Sequence, residues 1–281
     1  MALFSLEDSE QSQHLYLNAC DRASNTIDVA TPEEAGYRYW FAHAQNEVTK
    51  ALGRGSDASG LSTVAEADYS HVGGYHSRNT KGAYASRTDG YKNTTTGKYA
   101  STDGDNNVNN AQSADVSGTR NQVDVVDEND PTPVTKPSTG AVVAGGQNVV
   151  KNAPYASAFG YQNKVYNDSS AALNAGNVVS TQASTATGYY NEMSGNGHYS
   201  FVSGRNNKVT GWNQRVHGKF NNPNPNLIDM VGIGESEDDR RNGYELDRQG
   251  NAWFAGDVHV GAPDESEPNS NRLVEQRELD A

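Results

Sequence analysis

Seven histidines, His14, His43, His71, His76, His198, His217 and His259, are the side chains best suited to metal or proton chemistry, and no two stand at a recognised ligand spacing. His71 and His76 lie on opposite sides of a turn. One histidine per chain would supply three ligands on a three-fold axis, but an acidic or cysteine companion is missing. Asp89 and Asp103 each precede a glycine, yet the Gly-Gly-x-Gly-x-Asp calcium pattern is absent, so they read as solvated turn carboxylates. Asp238-Asp239 and the run Asp264-Glu265-Ser266-Glu267 offer carboxylates for glycan cleavage. Such pairs need a fixed cleft and unequal environments, which flexible acidic stretches do not supply. No Ser-His-Asp order, phosphate loop or dinucleotide fingerprint is present. The expectation is a non-enzyme with no catalytic residue, no metal and no cofactor.

What could position side chains in such a chain is limited by its composition. Only 34% of the 281 residues are hydrophobic, against nearly half in an ordinary globular domain. Disorder would explain that figure, but 15 Tyr and three Trp argue against it, because flexible polar chains are poor in aromatics. A repetitive fold with small buried side chains fits better. The net charge of -13 makes nucleic acid a poor partner, since backbone binding needs clustered Lys and Arg. No apolar run approaches membrane-spanning length, so membrane insertion is not expected. The N-terminus, Met1 to Asp8, lacks the basic and apolar regions of a signal peptide, and Cys20 is a lone thiol; both fit synthesis in a reducing cytoplasm.

The repeat is visible once one glycine per unit is used as an anchor: Gly74, Gly90, Gly104, Gly118, Gly146, Gly160, Gly176, Gly188, Gly204 and Gly218. Spacings are 12, 14 or 16 residues, apart from one gap of 28 between Gly118 and Gly146. Two positions before the glycine stand Val72, Thr88, Thr102, Val116, Ala144, Ala158, Asn174, Ala186, Val202 and Val216. Four positions before it, small residues such as Ser70, Ser86, Ala100, Ala114 and Ala156 recur. Alternate residues of a strand share a face, so these columns line one interior. Asn93, Asn107, Asn121, Asn163, Asn191, Asn207 and Asn221 follow the glycine by three, a turn position that suits left-handed backbone angles. Each unit reads as strand, turn, strand, turn, and a stack of about eleven coils gives a rod of roughly 50 Å. An interior of Ala, Ser, Thr and Gly buries little apolar area per residue, so association into a homotrimer is expected. Tyr75, Tyr91, Tyr161 and Tyr189 directly follow a repeat glycine and should face outward. They either hold sugar rings or fill the seam between protomers.

Tyr69-Ser70-His71-Val72-Gly73-Gly74 resembles the Tyr-Ser-His-Ala-Glu-Gly repeat of phage tail and appendage proteins from Gram-positive hosts. That repeat is similar to the left-handed parallel β-roll heads of trimeric autotransporter adhesins, and Tyr155-Ala156-Ser157-Ala158-Phe159-Gly160 is closer to the adhesin form. The resemblance spans residues 65–221 and is interrupted at Asp130-Pro131-Thr132-Pro133, where proline breaks strand pairing. Residues 124–139 are therefore expected to leave the roll as an acidic loop. Near the C-terminus, Asn242-Gly243-Tyr244-Glu245-Leu246-Asp247-Arg248-Gln249-Gly250-Asn251-Ala252-Trp253-Phe254-Ala255-Gly256-Asp257-Val258 resembles the appendage motif Thr-Leu-Asp-Trp-Asn-Gly-Asn-Ala-Trp-Phe-Ala-Gly-Asp-Val, with Arg248 in place of its first Trp. Tyr244 and Leu246, the polar turn Asp247 to Asn251, then Trp253 and Ala255 read as a hairpin. In relatives a self-cleaving chaperone domain often follows this motif. Only a polar tail, 262–281, stands here, and no autoproteolysis is expected.

Thr31-Pro32-Glu33-Glu34 carries the signature of a helix start, with Thr31 as cap, Pro32 in the first turn and Glu34 completing a capping box. Gly53 is a natural stop. Tyr37, Phe41, Ala44, Val48 and Ala51 alternate spacings of four and three, which predicts a helix over 32–52. Its apolar seam serves either trimerisation or packing on its own base. The expected organisation is a mainly β, trimeric left-handed parallel β-roll at 65–221. An attachment base at 1–60 precedes it, and a hairpin tip at 222–261 follows.

The two resemblances imply a structural virion fibre or appendage of a bacteriophage. The base would bind other virion proteins of tail, neck or capsid, and the shaft would serve host-surface glycan attachment through multivalency. The alternative is a capsid head fibre or decoration protein anchored by its N-terminal segment. A cell-surface adhesin would require a signal peptide and a membrane barrel, and a depolymerase would require carboxylates clustered in a groove.

Overall fold

The computed structural model describes residues 49–126, 131–256 and 258, with short strands at 4–5, 16–17 and 43–45. Among these residues the fold is all β. Two parallel sheets run side by side along a solenoid. The longer has fifteen strands, of which the thirteen from His43–Gln45 to Leu227–Ile233 are parallel, and the shorter has eleven, from Lys50–Ala51 to Lys208–Val209. Each coil gives one strand to each sheet, and about thirteen turns make a rod of roughly 60 Å.

The glycine column explains why the coils stack. Gly104 pairs with Gly90 below and Gly118 above, in register. Its φ is 110°, and a Cβ placed on it would lie 2.1 Å from the carbonyl oxygen of Gly118. Only glycine meets both demands. From the Gly74 coil to the Gly218 coil the chain bends at two further left-handed residues, one two positions after the anchor and one five before it, as at Asn106 (φ 55°) and Tyr99 (φ 56°).

The interior is built from the predicted columns. Val72, Thr88, Thr102, Val116, Ala158, Ala186, Val202 and Val216 are fully buried. Ala144 is not, and the correction has a simple cause. Gly118 pairs with Gly145 rather than Gly146, so Val143 takes the inner position and Ala144 is half-buried. A two-residue slip occurs at Gly176, because Gly160 pairs with Asn174, which holds φ 75° without being glycine.

The helix expected over 32–52 is replaced by strands where the chain is described. His43–Gln45 pairs in register with Asp57–Ser59, and Lys50–Ala51 with Val64–Ala65. Ala44 and Ala51 of the proposed seam therefore sit on two strands of the first coil; Tyr37, Phe41 and Val48 lie outside the described residues. The physical reason is periodicity. Inner positions of successive strands are seven residues apart, as at Ala58 and Ala65, and seven residues are also two helical turns. Parallel pairing is thus already present at His43–Gln45, ahead of the expected 65.

The described residues 124–126 and 131–139 stand outside the ladder, which closes across them. Asp115–Thr119 pairs with Val142–Gly146, and Gln122–Val123 with Val149–Val150. Asp124, buried, closes the neck: its carboxylate accepts hydrogen bonds from the Ser138 backbone N–H (2.6 Å), the Ser138 hydroxyl (2.7 Å) and the Asn152 N–H (3.1 Å). Pro131, Pro133 and Pro137 stand in the excursion, where no ladder hydrogen bond is asked of them.

The top of the long sheet turns antiparallel. Leu227–Ile233 pairs with Asn242–Asp247, which pairs in turn with Ala252–Phe254, matching Tyr244 to Phe254 and Leu246 to Ala252. Arg240 secures the connection by donating to the carbonyls of Asn206 (2.8 Å) and Asn221 (3.0 Å).

Candidate functional surface

The coil geometry sorts side chains into inward columns, which hold the rod together, and outward columns, which meet the surroundings. The most ordered inward column is asparagine. Asn93, Asn107, Asn121, Asn148, Asn163, Asn177, Asn191, Asn207 and Asn221 are fully buried. From Asn107 upward, each backbone N–H donates to Oδ1 of the asparagine one coil below at 2.8–3.2 Å. The left-handed angle belongs to the residue before each asparagine, not to the asparagine itself. The column is thus a hydrogen-bonded core, and its signal in the sequence was read as a turn.

A second inward feature is polar where a core is usually apolar. Asn79, Thr88, Thr95, Thr102 and Asn109 are fully buried. Thr95 Oγ1 meets Thr88 Oγ1 at 2.6 Å and Thr102 Oγ1 at 2.7 Å, and Thr88 also bonds Asn79. This stretch divides the apolar core into a small cluster, Ala51, Ala58, Ala65 and Val72, and a long one from Ala111 to Met230.

The four predicted surface tyrosines are exposed, and the structure brings only Tyr75 and Tyr91 together. Tyr75 and Tyr91 stack at 5.2 Å with rings 2° from parallel. His76 meets Tyr75 edge-on at 4.2 Å, and Lys92 Nζ lies 4.9 Å from the Tyr91 ring centre. The hydrogen bond with Tyr91 holds the Lys92 ammonium pKa above its usual range. The stack therefore presents ring edges and hydroxyls, its shared faces being closed. Tyr161 and Tyr189 stand two coils apart, with the ring of Tyr161 over Gly146.

Sequence reasoning missed a second aromatic column on the left-handed corner five residues before the glycine. Tyr69, Tyr99, Tyr155 and Tyr199 occupy it, and Tyr155 is 71% exposed. Tyr84 joins Tyr69 and Tyr99 in an edge-to-face series at 5.6 and 5.5 Å, and Arg54 lies 5.2 Å from the Tyr69 ring centre. Trp212 meets Tyr199 in the same manner at 6.3 Å. The signal was present, since Tyr69 opens the very hexapeptide that carries the resemblance.

Charged and titratable groups on the rod pair both within and between coils. His71 lies between Asp57 (3.2 Å) and Asp89 (3.3 Å), and Arg87 pairs with Asp89 at 2.6 Å. Glu237 binds Arg240 (2.6 Å) and Lys208, which hold its carboxyl pKa down at about 2. Asp239 pairs with Arg241 at 2.9 Å. Among the described residues no group of three His, Cys, Asp or Glu is placed to hold a metal ion, and no helix is long and apolar enough to cross a membrane. No known protein-family model matches the chain, and no curated protein matches it.

Proposed function

We propose that this chain is the shaft of a homotrimeric bacteriophage fibre, wound left-handed, that contributes to host-surface attachment rather than to catalysis. The observation that carries the reading is a rod of stacked coils with rows of exposed tyrosine along it, followed by the appendage-like segment ending in Trp253 and Phe254. A solenoid gives reach at low cost in apolar residues, because each coil shares its interior and its backbone hydrogen bonds with the next. Three copies per fibre and several fibres per particle would turn weak contacts into avidity. The N-terminal segment ahead of the first coil is the part assigned to other virion proteins, and the exposed tyrosines to glycan.

Light scattering on the purified chain tests the assembly, with three times the 30.2 kDa protomer mass expected. Immunogold labelling tests the location: gold on tails supports the tail appendage, gold on heads supports a capsid fibre, and particles without gold overturn the reading.

A further inference from the structure

The outward side of the long sheet changes character along the rod. The four consecutive strands Val142–Gly146, Ser157–Tyr161, Ala171–Ala175 and Thr185–Tyr189 contain no Asp, Glu, Lys or Arg. Their outward side chains include Val142 (40% exposed), Phe159 (39% exposed), Leu173, Tyr161 and Tyr189. The strands directly below, Ser101–Asp105 and Asp115–Thr119, are acidic, and those directly above, Phe201–Arg205 and Arg215–Lys219, are basic.

We infer that this uncharged window is the face through which two copies of the chain pack against each other. Three observations favour a second copy as the occupant. Each protomer carries -13, so an uncharged stretch is where two copies can approach with least repulsion, and the window is such a place. The surface is also a ruled one, with ridges at the coil rise of about 4.8 Å. A second copy has the same rise and matches every ridge, whereas a partner of another fold matches one or two. Finally, an apolar centre with a charged surround is the anatomy of a protein interface. Four strands by five residues cover roughly 300 Å² of projected sheet, less than the roughly 800 Å² per partner of a stable complex. The window is thus the dry centre of a contact that extends over the flanking coils. The inference rests on the fibre reading only for the number of copies.

The test uses the full chain. Phe159→Glu places a charge in the window at an exposed position, and Gln122→Glu places one on the outer face of the short sheet. The expected result is that Phe159→Glu falls to the 30.2 kDa protomer mass with its β circular dichroism retained, while Gln122→Glu keeps the mass of the parent. A parent that is monomeric, a Phe159→Glu chain that keeps the parental mass, or a Gln122→Glu chain that dissociates equally overturns the inference. Should Phe159→Glu lose its fold, Phe159→Cys in a Cys20→Ser background decides: an interchain disulfide on mild oxidation supports the window, and its absence refutes it. Particles without immunogold label would remove the fibre reading and leave this mass dependence standing.

Discussion

Asn107 Oδ1 accepts two hydrogen bonds from Asn121 on the next coil, one from the backbone N–H at 2.9 Å and one from Nδ2 at 3.1 Å. Asn121 repeats the arrangement with Asn148, although 27 residues separate them. The column therefore follows the stack and not the chain. Asn121 Nδ2 also donates to the carbonyls of Ser117 (2.8 Å) and Gly145 (3.0 Å), so one carboxamide ties three coils.

Asn121→Ala should therefore be costly. It strands buried groups on the coils above and below, each worth about 1–3 kcal/mol when unpartnered. A loss of about 2–4 kcal/mol in urea unfolding is expected. A loss below about 0.5 kcal/mol would mean the column is ornamental.

Glycine at the anchor and glycine at the tip should respond differently. A Cβ on Gly118, at φ 107°, would stand 2.0 Å from the Gly145 oxygen, whereas one on Gly250, at φ 89°, meets nothing within 4 Å. Gly250→Ala bears only the conformational term, about 1 kcal/mol, and Gly118→Ala bears that term and a backbone collision. Comparing the two melting curves checks this; equal shifts would contradict it.

The buried threonines predict non-additivity. Thr95→Val leaves the hydroxyls of Thr88 and Thr102 short of a partner and should cost about 1–2 kcal/mol. Adding Thr102→Val removes one of those orphans while Thr88 keeps Asn79, so the double variant should be less destabilised than the sum of the singles. Native-state hydrogen exchange should also find the coils around Ala58 and Val72 opening more easily than those above Ala111, because the polar stretch separates their apolar clusters.

Acid should loosen the top of the rod first. The carboxyl of Glu237 is held at about 2, below its ordinary value of 4.5, by Arg240 and Lys208. A depressed carboxyl contributes stability that is present above pH 4.5 and lost as pH falls through 2. Between those values the Glu237→Gln chain should converge on the parent in the exchange rates of the Asn242–Asp247 strand. Parallel pH profiles would show that the pair does not matter to the cap.

Much of this architecture was legible because its columns are chemical. Small residues two and four before a glycine, and asparagine three after it, announce an inner face whatever the winding. The errors came where two physical rules share a number. Seven residues separate Ala44 from Ala51 both along a helix and across half a coil, and only the in-register partners Ala58 and Ala65 decide between them. Gly145-Gly146 offered two anchors one residue apart, and Asn174 offered none, so the register slipped at both. The aromatic corner around Tyr155 was hidden for another reason: left-handed angles at tyrosine run against its own preference, and the stack imposes them.

The pinched neck at Asp124 and Ser138 has a consequence for how such rods change over time. Because the ladder closes behind the excursion, height is counted in coils while chain length is free to grow. New material can be spliced in at this doorway without lengthening the mast, so a display loop and its support are separately adjustable.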